Sequence, residues 1–140
     1  MKRIFLPFTM LLACGALLGA CGDDDDDSSG GAGSAAIEPT LSSIQAQVLT
    51  PVCATSGCHG GISEPSLKAG ETFASVVDKV STEGKSTKKY VVPNKPDESL
   101  LYLLLTGEED GIPQMPLTGK LTDAQIEAIR AWIAAGAKND

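Results

Sequence analysis

The stretch Cys53-Ala54-Thr55-Ser56-Gly57-Cys58-His59 places an imidazole directly after the second of two thiols. Two cysteine thiols add across the vinyl groups of a porphyrin, and a histidine beside the second thioether is then held under the iron as its proximal ligand. The common attachment string has two residues between its cysteines, whereas this one has four. Gly57 and its small neighbours make the longer spacer easy to bulge. The string therefore predicts one covalently bound haem.

Two other chemistries use the same side chains. A plain disulfide between Cys53 and Cys58 is stable in an oxidising compartment but leaves the adjacent His59 without a role. A structural zinc ion usually takes four protein ligands, and this stretch offers only two thiols and one imidazole. Both alternatives explain fewer of these residues than haem attachment does, but the sequence excludes neither of them.

The N-terminal segment has the composition of an export signal. Met1-Lys2-Arg3 precedes an apolar run that ends in Leu18-Gly19-Ala20-Cys21, which resembles the processing box of bacterial lipoproteins, whose cysteine is acylated. Processing at Cys14 would leave an apolar tail, whereas the chain turns polar after Cys21. We predict a lipoprotein signal peptide over 1–20 and a lipid on Cys21. The alternative is an ordinary transmembrane anchor.

Residues 21–38 contain five consecutive aspartates followed by glycine and serine. This composition buries too little apolar surface to fold, so we predict a flexible acidic tether. Gly22 occupies the position at which an aspartate retains lipoproteins in the inner membrane of some bacteria, which favours the outer membrane. We therefore expect an exported protein on the periplasmic side, in the oxidising compartment where bacteria attach c-type haem.

Residues 39–140 form the predicted folded domain, which the helical spacing of its apolar residues places in the all-α class. The first predicted helix carries Leu41, Ile44 and Val48 on one face and stops before Pro51. The second is predicted from Phe73 to Val80.

Two further helices are predicted in the second half of the domain. One runs over 97–105 and ends at Gly107; the other begins with a capping box of Thr122 and Gln125 and ends at Gly136. Only Tyr90-Val91-Val92 has the composition of a short strand.

The axial ligands follow from the inventory of side chains. His59 is the only histidine, and Met115 is the only methionine outside the predicted signal peptide. Met115 lies in Gly111-Ile112-Pro113-Gln114-Met115-Pro116, where prolines restrict the backbone around its thioether. A histidine and a methionine together are one of the ligand sets that proteins use for haem iron. The alternative is that Met115 only packs in its loop and the sixth position holds water or is empty.

The order of these features resembles a class I-type c-type cytochrome, and more closely the single-haem domains with a C-x4-C-H string on exported bacterial proteins. The resemblance rests on the haem string behind a first helix, on 92–101, on Gln114-Met115-Pro116 and on 129–137. It implies a small helical domain wrapped around one haem c, with the last helix packed across the first. Cys53 and Cys58 would be the attachment sites, His59 the proximal ligand and Met115 the distal ligand.

Such an iron has no open position for a substrate, so the expected function is one-electron transfer and not catalysis. Residues 39–140 carry nine basic and twelve acidic residues, a net charge of −3, which argues against a nucleic-acid partner. We expect a monomer whose partners are redox proteins. Four lysines are candidates for steering an acidic partner: Lys79, Lys85, Lys88 and Lys89.

Two rival functions belong to other classes. In a haem-based sensor, a small molecule such as nitric oxide or carbon monoxide would displace Met115 from the iron. In a haem-free surface lipoprotein, Cys53 and Cys58 would form only a disulfide, and the protein would act in adhesion or assembly.

Overall fold

Residues 36–84 and 86–140 are described by the computed structural model. The predicted signal peptide, the lipidation site Cys21, most of the tether and Lys85 lie outside this range. Helices follow one another in the predicted order, and the described residues contain no β-strand, so the all-α class is confirmed. None of the helices within this range has the length and hydrophobicity needed to span a membrane.

The first helix comprises α1, Leu41–Ile44, which continues directly as a π-helix over Gln45–Cys53. The prediction that this helix stops before Pro51 is wrong. In a π-helix the bonded residues are five apart, as in the 2.6 Å bond from the Ala54 N–H to the Leu49 carbonyl. This wider turn accommodates the proline ring, which in an α-helix collides with the carbonyl of the preceding turn. The helix therefore reaches the first cysteine of the haem string.

The second helix, α2, is shorter than predicted and covers only Thr72–Val76. The backbone becomes extended at Val77, and Asp78 adopts a left-handed φ of 55°. The N–H of Asp78 donates to the carbonyl of Val91 over 2.9 Å. β-Branched valines favour extended backbone, so pairing with a distant segment ends the helix before Val80.

Residues 90–92, which have the composition of a short strand, do not form a regular strand. Val91 forms an isolated parallel bridge with Val77, and Lys89 forms an isolated antiparallel bridge with Val80. These bridges join two irregular segments without building a sheet.

The two remaining helices agree closely with the sequence. A 3₁₀ turn over Pro96–Glu98 leads into α3, Leu100–Thr106, which ends at Gly107, and α4 covers Asp123–Ala134. The capping box of α4 is confirmed. Thr122 Oγ1 accepts from the N–H of Gln125, and the Gln125 side chain accepts from the N–H of Thr122 over 2.8 Å.

The last helix packs against α1 and α3. Trp132 of α4 is 2% exposed, and its indole N–H donates to the Lys138 carbonyl over 2.8 Å. Its one polar group is therefore satisfied within the protein, and Trp132 is a core residue. The other large, fully buried apolar side chains of the core are Ile44, Val48, Val76, Val91, Leu100, Ile129 and Ile133.

Candidate functional site

The turn that follows the first helix brings both cysteines and the histidine together. The N–H of His59 donates to the Cys53 carbonyl over 3.2 Å, which closes the turn across the whole string. Inside it, the N–H groups of Cys58 and Gly60 both donate to the Thr55 carbonyl over 3.0 Å. The four-residue spacer is therefore a compact, hydrogen-bonded bulge that keeps the two thiols and the imidazole in one place.

Two glycines that sequence reasoning did not single out make this turn possible. A Cβ on Gly60 would lie 2.0 Å from the Ala54 carbonyl oxygen, and one on Gly61 would lie 2.6 Å from the Ser56 carbonyl oxygen. By contrast, a Cβ on Gly57 would have no neighbour within 4 Å. The turn thus depends on Gly60 and Gly61. It does not depend on Gly57, the glycine that the sequence had indicated for this role. The signal was the pair of consecutive glycines directly after His59.

His59 is half-buried, and its Nδ1 lies 3.1 Å from the carbonyl oxygen of Pro65. Because a carbonyl oxygen only accepts, Nδ1 must carry the hydrogen, and the lone pair of the neutral ring is on Nε2. Histidines that bind metals usually have such a partner on the other ring nitrogen, since it fixes the tautomer and the orientation of the ring. The arrangement places the lone pair on Nε2, the ring nitrogen that does not face Pro65.

Cys53 and Cys58 are both free thiols. Cys53 is half-buried, whereas Cys58 is exposed. Burial raises the pKa of the Cys53 thiol from 9.0 to about 11, and the nearby Cys58 adds to the effect. Within the described residues, no group of three or more His, Cys, Asp or Glu side chains is arranged to hold a metal ion.

Met115 is half-buried at the edge of the hydrophobic core, in a loop fastened to α3. Its N–H donates to the Leu104 carbonyl over 2.7 Å, and the side chain of Gln114 donates to the Leu105 carbonyl over 2.9 Å. Met115 also lines a cavity of about 650 Å³. The apolar part of the cavity wall includes Leu105, Leu121 and Ile126.

The structure brings three of the four predicted haem residues together and places the fourth in a separate loop. Cys53, Cys58 and His59 share one turn, but none of them lines the cavity beside Met115. Cys53 and Met115 both pack against the hydrophobic core. Cys53 at the end of the π-helix and Met115 in its loop therefore border the same core.

Two of the four lysines predicted to steer a partner, Lys88 and Lys89, form ion pairs. Lys88 lies 2.7 Å from Glu109 and 3.0 Å from Asp110, and Lys89 lies 2.8 Å from Asp78. Hydrogen bonds to Glu109 and Asp110 raise the pKa of Lys88. The pKa of Asp110 is lowered mainly by a hydrogen bond from Ser86, and to a smaller extent by one from Lys88. These pairs fasten the segment around Lys88 to the turn that precedes the Met115 loop.

The donor atoms present are those that a covalently bound haem requires. Two free thiols and an imidazole with its lone pair on Nε2 lie in one turn, and a thioether lines a cavity with both polar and apolar side chains in its wall. In haem attachment the thiols bind the edge of the porphyrin and not the metal, so they need not converge on an ion. No model of a protein family, no curated protein and no solved structure matches this chain.

Proposed function

We propose that this protein is an electron carrier, a c-type cytochrome with one covalently bound haem. The observation that carries the proposal is the hydrogen bond between His59 Nδ1 and the Pro65 carbonyl. It leaves Nε2 with its lone pair, in the same turn as two free thiols. A haem-free lipoprotein with a disulfide has no use for an imidazole oriented in this way.

Each residue of the turn has a defined role in this proposal. Cys53 and Cys58 would each hold the haem through a thioether bond, formed when the S–H adds across one vinyl group with no net gain or loss of electrons. His59 Nε2 would bind the iron while its Nδ1–H stays on the Pro65 carbonyl. The bound haem supplies a reversible one-electron change between ferric and ferrous iron.

Met115 is proposed as the distal ligand. Its thioether borders a cavity of about 650 Å³ with a mixed polar and apolar wall, and Met115 packs against the same hydrophobic core as Cys53. The same wall carries one lysine, Lys120, together with the acidic Asp123 and Glu127. A cytochrome c-like arrangement is supported further by the packing of the last helix against the first.

The proposed context follows from the predicted lipid on Cys21. The acidic tether would hold the haem domain away from the periplasmic side of the outer membrane, where it exchanges electrons with redox partner proteins as a monomer. Lys88 and Lys89 are engaged in ion pairs, so we do not expect them to form a basic docking surface.

Spectroscopy of the full chain, produced in an exporting host that matures c-type cytochromes, tests this function. We expect a single reversible one-electron transition in a potentiometric titration, and a reduced protein that does not bind carbon monoxide. Met115→Ala should open the sixth position, bind carbon monoxide and lose the charge-transfer band of methionine-ligated ferric haem. Thr118→Ala is the matched control, because Thr118 is exposed in the same loop and does not line the cavity beside Met115.

Two outcomes would contradict the proposal. A reduced parent protein that binds carbon monoxide as readily as the Met115→Ala variant would favour the sensor. A folded, exported parent protein without haem would favour the haem-free lipoprotein.

A further inference from the structure

Three consecutive carbonyls beside the histidine each accept a hydrogen bond from a different side chain. The Pro65 carbonyl accepts from His59 Nδ1, the Ser66 carbonyl accepts from Ser75 Oγ, and the Leu67 carbonyl accepts from Gln45 Nε2 over 2.9 Å. We propose that Gln45 and Ser75 are positioning residues for the proximal histidine. They hold the segment 65–67, here called the acceptor segment, so that its first carbonyl faces the imidazole. This inference rests on the proposed function of His59.

Gln45 is the centre of a buried polar network. It is 9% exposed, and its amide group donates to Thr50 Oγ1 over 3.0 Å as well as to the Leu67 carbonyl. Its carbonyl oxygen accepts from Thr72 Oγ1 over 2.7 Å, and Thr72 is 2% exposed. Among the described residues, no buried side-chain nitrogen or oxygen lacks a partner. A fully satisfied buried network defines one geometry, because any other leaves a polar group unpaired in the core.

The network reaches the backbone of His59 through Leu67. Leu67 is 3% exposed, and its N–H donates to the His59 carbonyl over 2.9 Å while its own carbonyl accepts from Gln45. Ser75 of α2, next to the buried Val76, donates its hydroxyl to the Ser66 carbonyl, which precedes that of Leu67. The first helix and α2 therefore both fasten the acceptor segment, and the segment in turn binds both the ring and the backbone of His59.

The expected consequence is electronic as well as structural. A hydrogen bond from Nδ1–H to a fixed acceptor makes the imidazole a stronger electron donor, which stabilises ferric iron. A loosened acceptor segment should weaken this bond, so the reduction potential should rise. The orientation of the His59 imidazole ring should also vary more from molecule to molecule.

The test compares Gln45→Leu and Ser75→Ala with the parent in the full, haem-loaded chain. Gln47→Leu is the control, since Gln47 lies in the same helix but its side chain donates to Ser43. Covalent haem content is measured first, then the reduction potential, the electron paramagnetic resonance spectrum of the ferric form, and the exchange rate of the His59 Nδ1–H by NMR.

We expect retained haem, an upward shift in potential, a broadened spectrum and several-fold faster exchange in both test variants, with Gln47→Leu matching the parent. Should Gln45→Leu fail to fold, Ser75→Ala decides, because it removes one hydroxyl from a half-buried position. Haem-loaded variants with unchanged potential, spectrum and exchange rate would overturn this inference alone. A parent without haem would overturn the proposed function and this inference with it.

Discussion

At the scale of single residues, the turn between Cys53 and His59 combines a strict steric requirement with unusual thiol chemistry. The backbone of Gly60 passes so close to the Ala54 carbonyl that no larger residue fits without a shift. The two thiols differ as well, since one is half-buried and the other is exposed. Each difference leads to a measurable prediction.

Gly60→Ala should disturb the turn. The added Cβ would lie 2.0 Å from the Ala54 carbonyl oxygen and 2.8 Å from that of Thr55, both of them backbone atoms that move only with the chain. Overpacking of this kind typically costs about 1–3 kcal/mol. We expect a lower denaturant midpoint and less covalent haem. Gly57→Ala is the matched control, and equal losses in the two variants would refute the role given to Gly60.

Cys53 should react more slowly than Cys58 in the haem-free polypeptide. Alkylating agents attack the thiolate, and burial raises the pKa of Cys53 to about 11. Iodoacetamide labelling followed by peptide mass spectrometry should therefore modify Cys58 first at neutral pH, with the rates converging as the pH approaches 11. Equal rates at neutral pH would contradict the buried position of Cys53.

The same shift predicts how stability depends on pH in the haem-free polypeptide. The folded-state pKa of Cys53 is raised above its unfolded value of 9.0, so the thiol contributes stability that is fully present below pH 9. This contribution is lost as the pH rises from about 9 to about 11, because the unfolded chain ionises first. Denaturation curves of the parent and of Cys53→Ser across this range should show a steeper decline in the parent.

At the scale of the elements, helix starts set by local signals were predicted well and helix ends set by distant contacts were not. The capping box of Thr122 and Gln125 lies within four residues of sequence, so the start of α4 could be identified from the sequence. The end of α2 depends on hydrogen bonds between the 77–80 and 88–91 segments, which no local spacing encodes. The sequence spacing of Val76, Val77 and Val80 is compatible with a helix and with an extended segment.

The candidate site shows the same division. Thiols next to an imidazole form a local pattern, and this pattern identified Cys53, Cys58 and His59. The acceptor for His59 lies six residues away in irregular backbone, and Gln45 reaches Leu67 across 22 residues. Gln45 also looks like an ordinary helix residue in the sequence. Its role depends on burial, which only the folded chain reveals.

Thr122→Ala should destabilise the domain by about 1 kcal/mol, the usual cost of losing an N-cap. Both halves of the capping box depend on this residue, because its hydroxyl accepts from the N–H of Gln125 and its own N–H donates to the Gln125 side chain. Thr118→Ala, at an exposed position in the preceding loop, should leave stability unchanged. Chemical denaturation followed by the fluorescence of Trp132 measures both variants. A Thr122→Ala midpoint equal to that of the parent would show that the cap contributes nothing.

At the scale of the whole molecule, Asp140, far along the chain, closes the fold onto the first helix. The side chain and the main-chain carbonyl of Asp140 accept from the N–H groups of Leu41 and Ser42, over 2.8 and 3.0 Å. The haem string then follows at the opposite end of that helix.

The central claim is that Cys53 and Cys58 hold a haem covalently. The most direct measurement is the haem absorbance that stays with the protein after denaturation and acid-acetone extraction, with the full chain produced in an exporting host that matures c-type cytochromes. We predict that the parent retains its haem and that the Cys53→Ala/Cys58→Ala double variant loses it. Cys14→Ala, which changes a cysteine within the predicted signal peptide, should retain it like the parent. A folded, exported parent protein whose haem is absent or is removed by the extraction would contradict the claim.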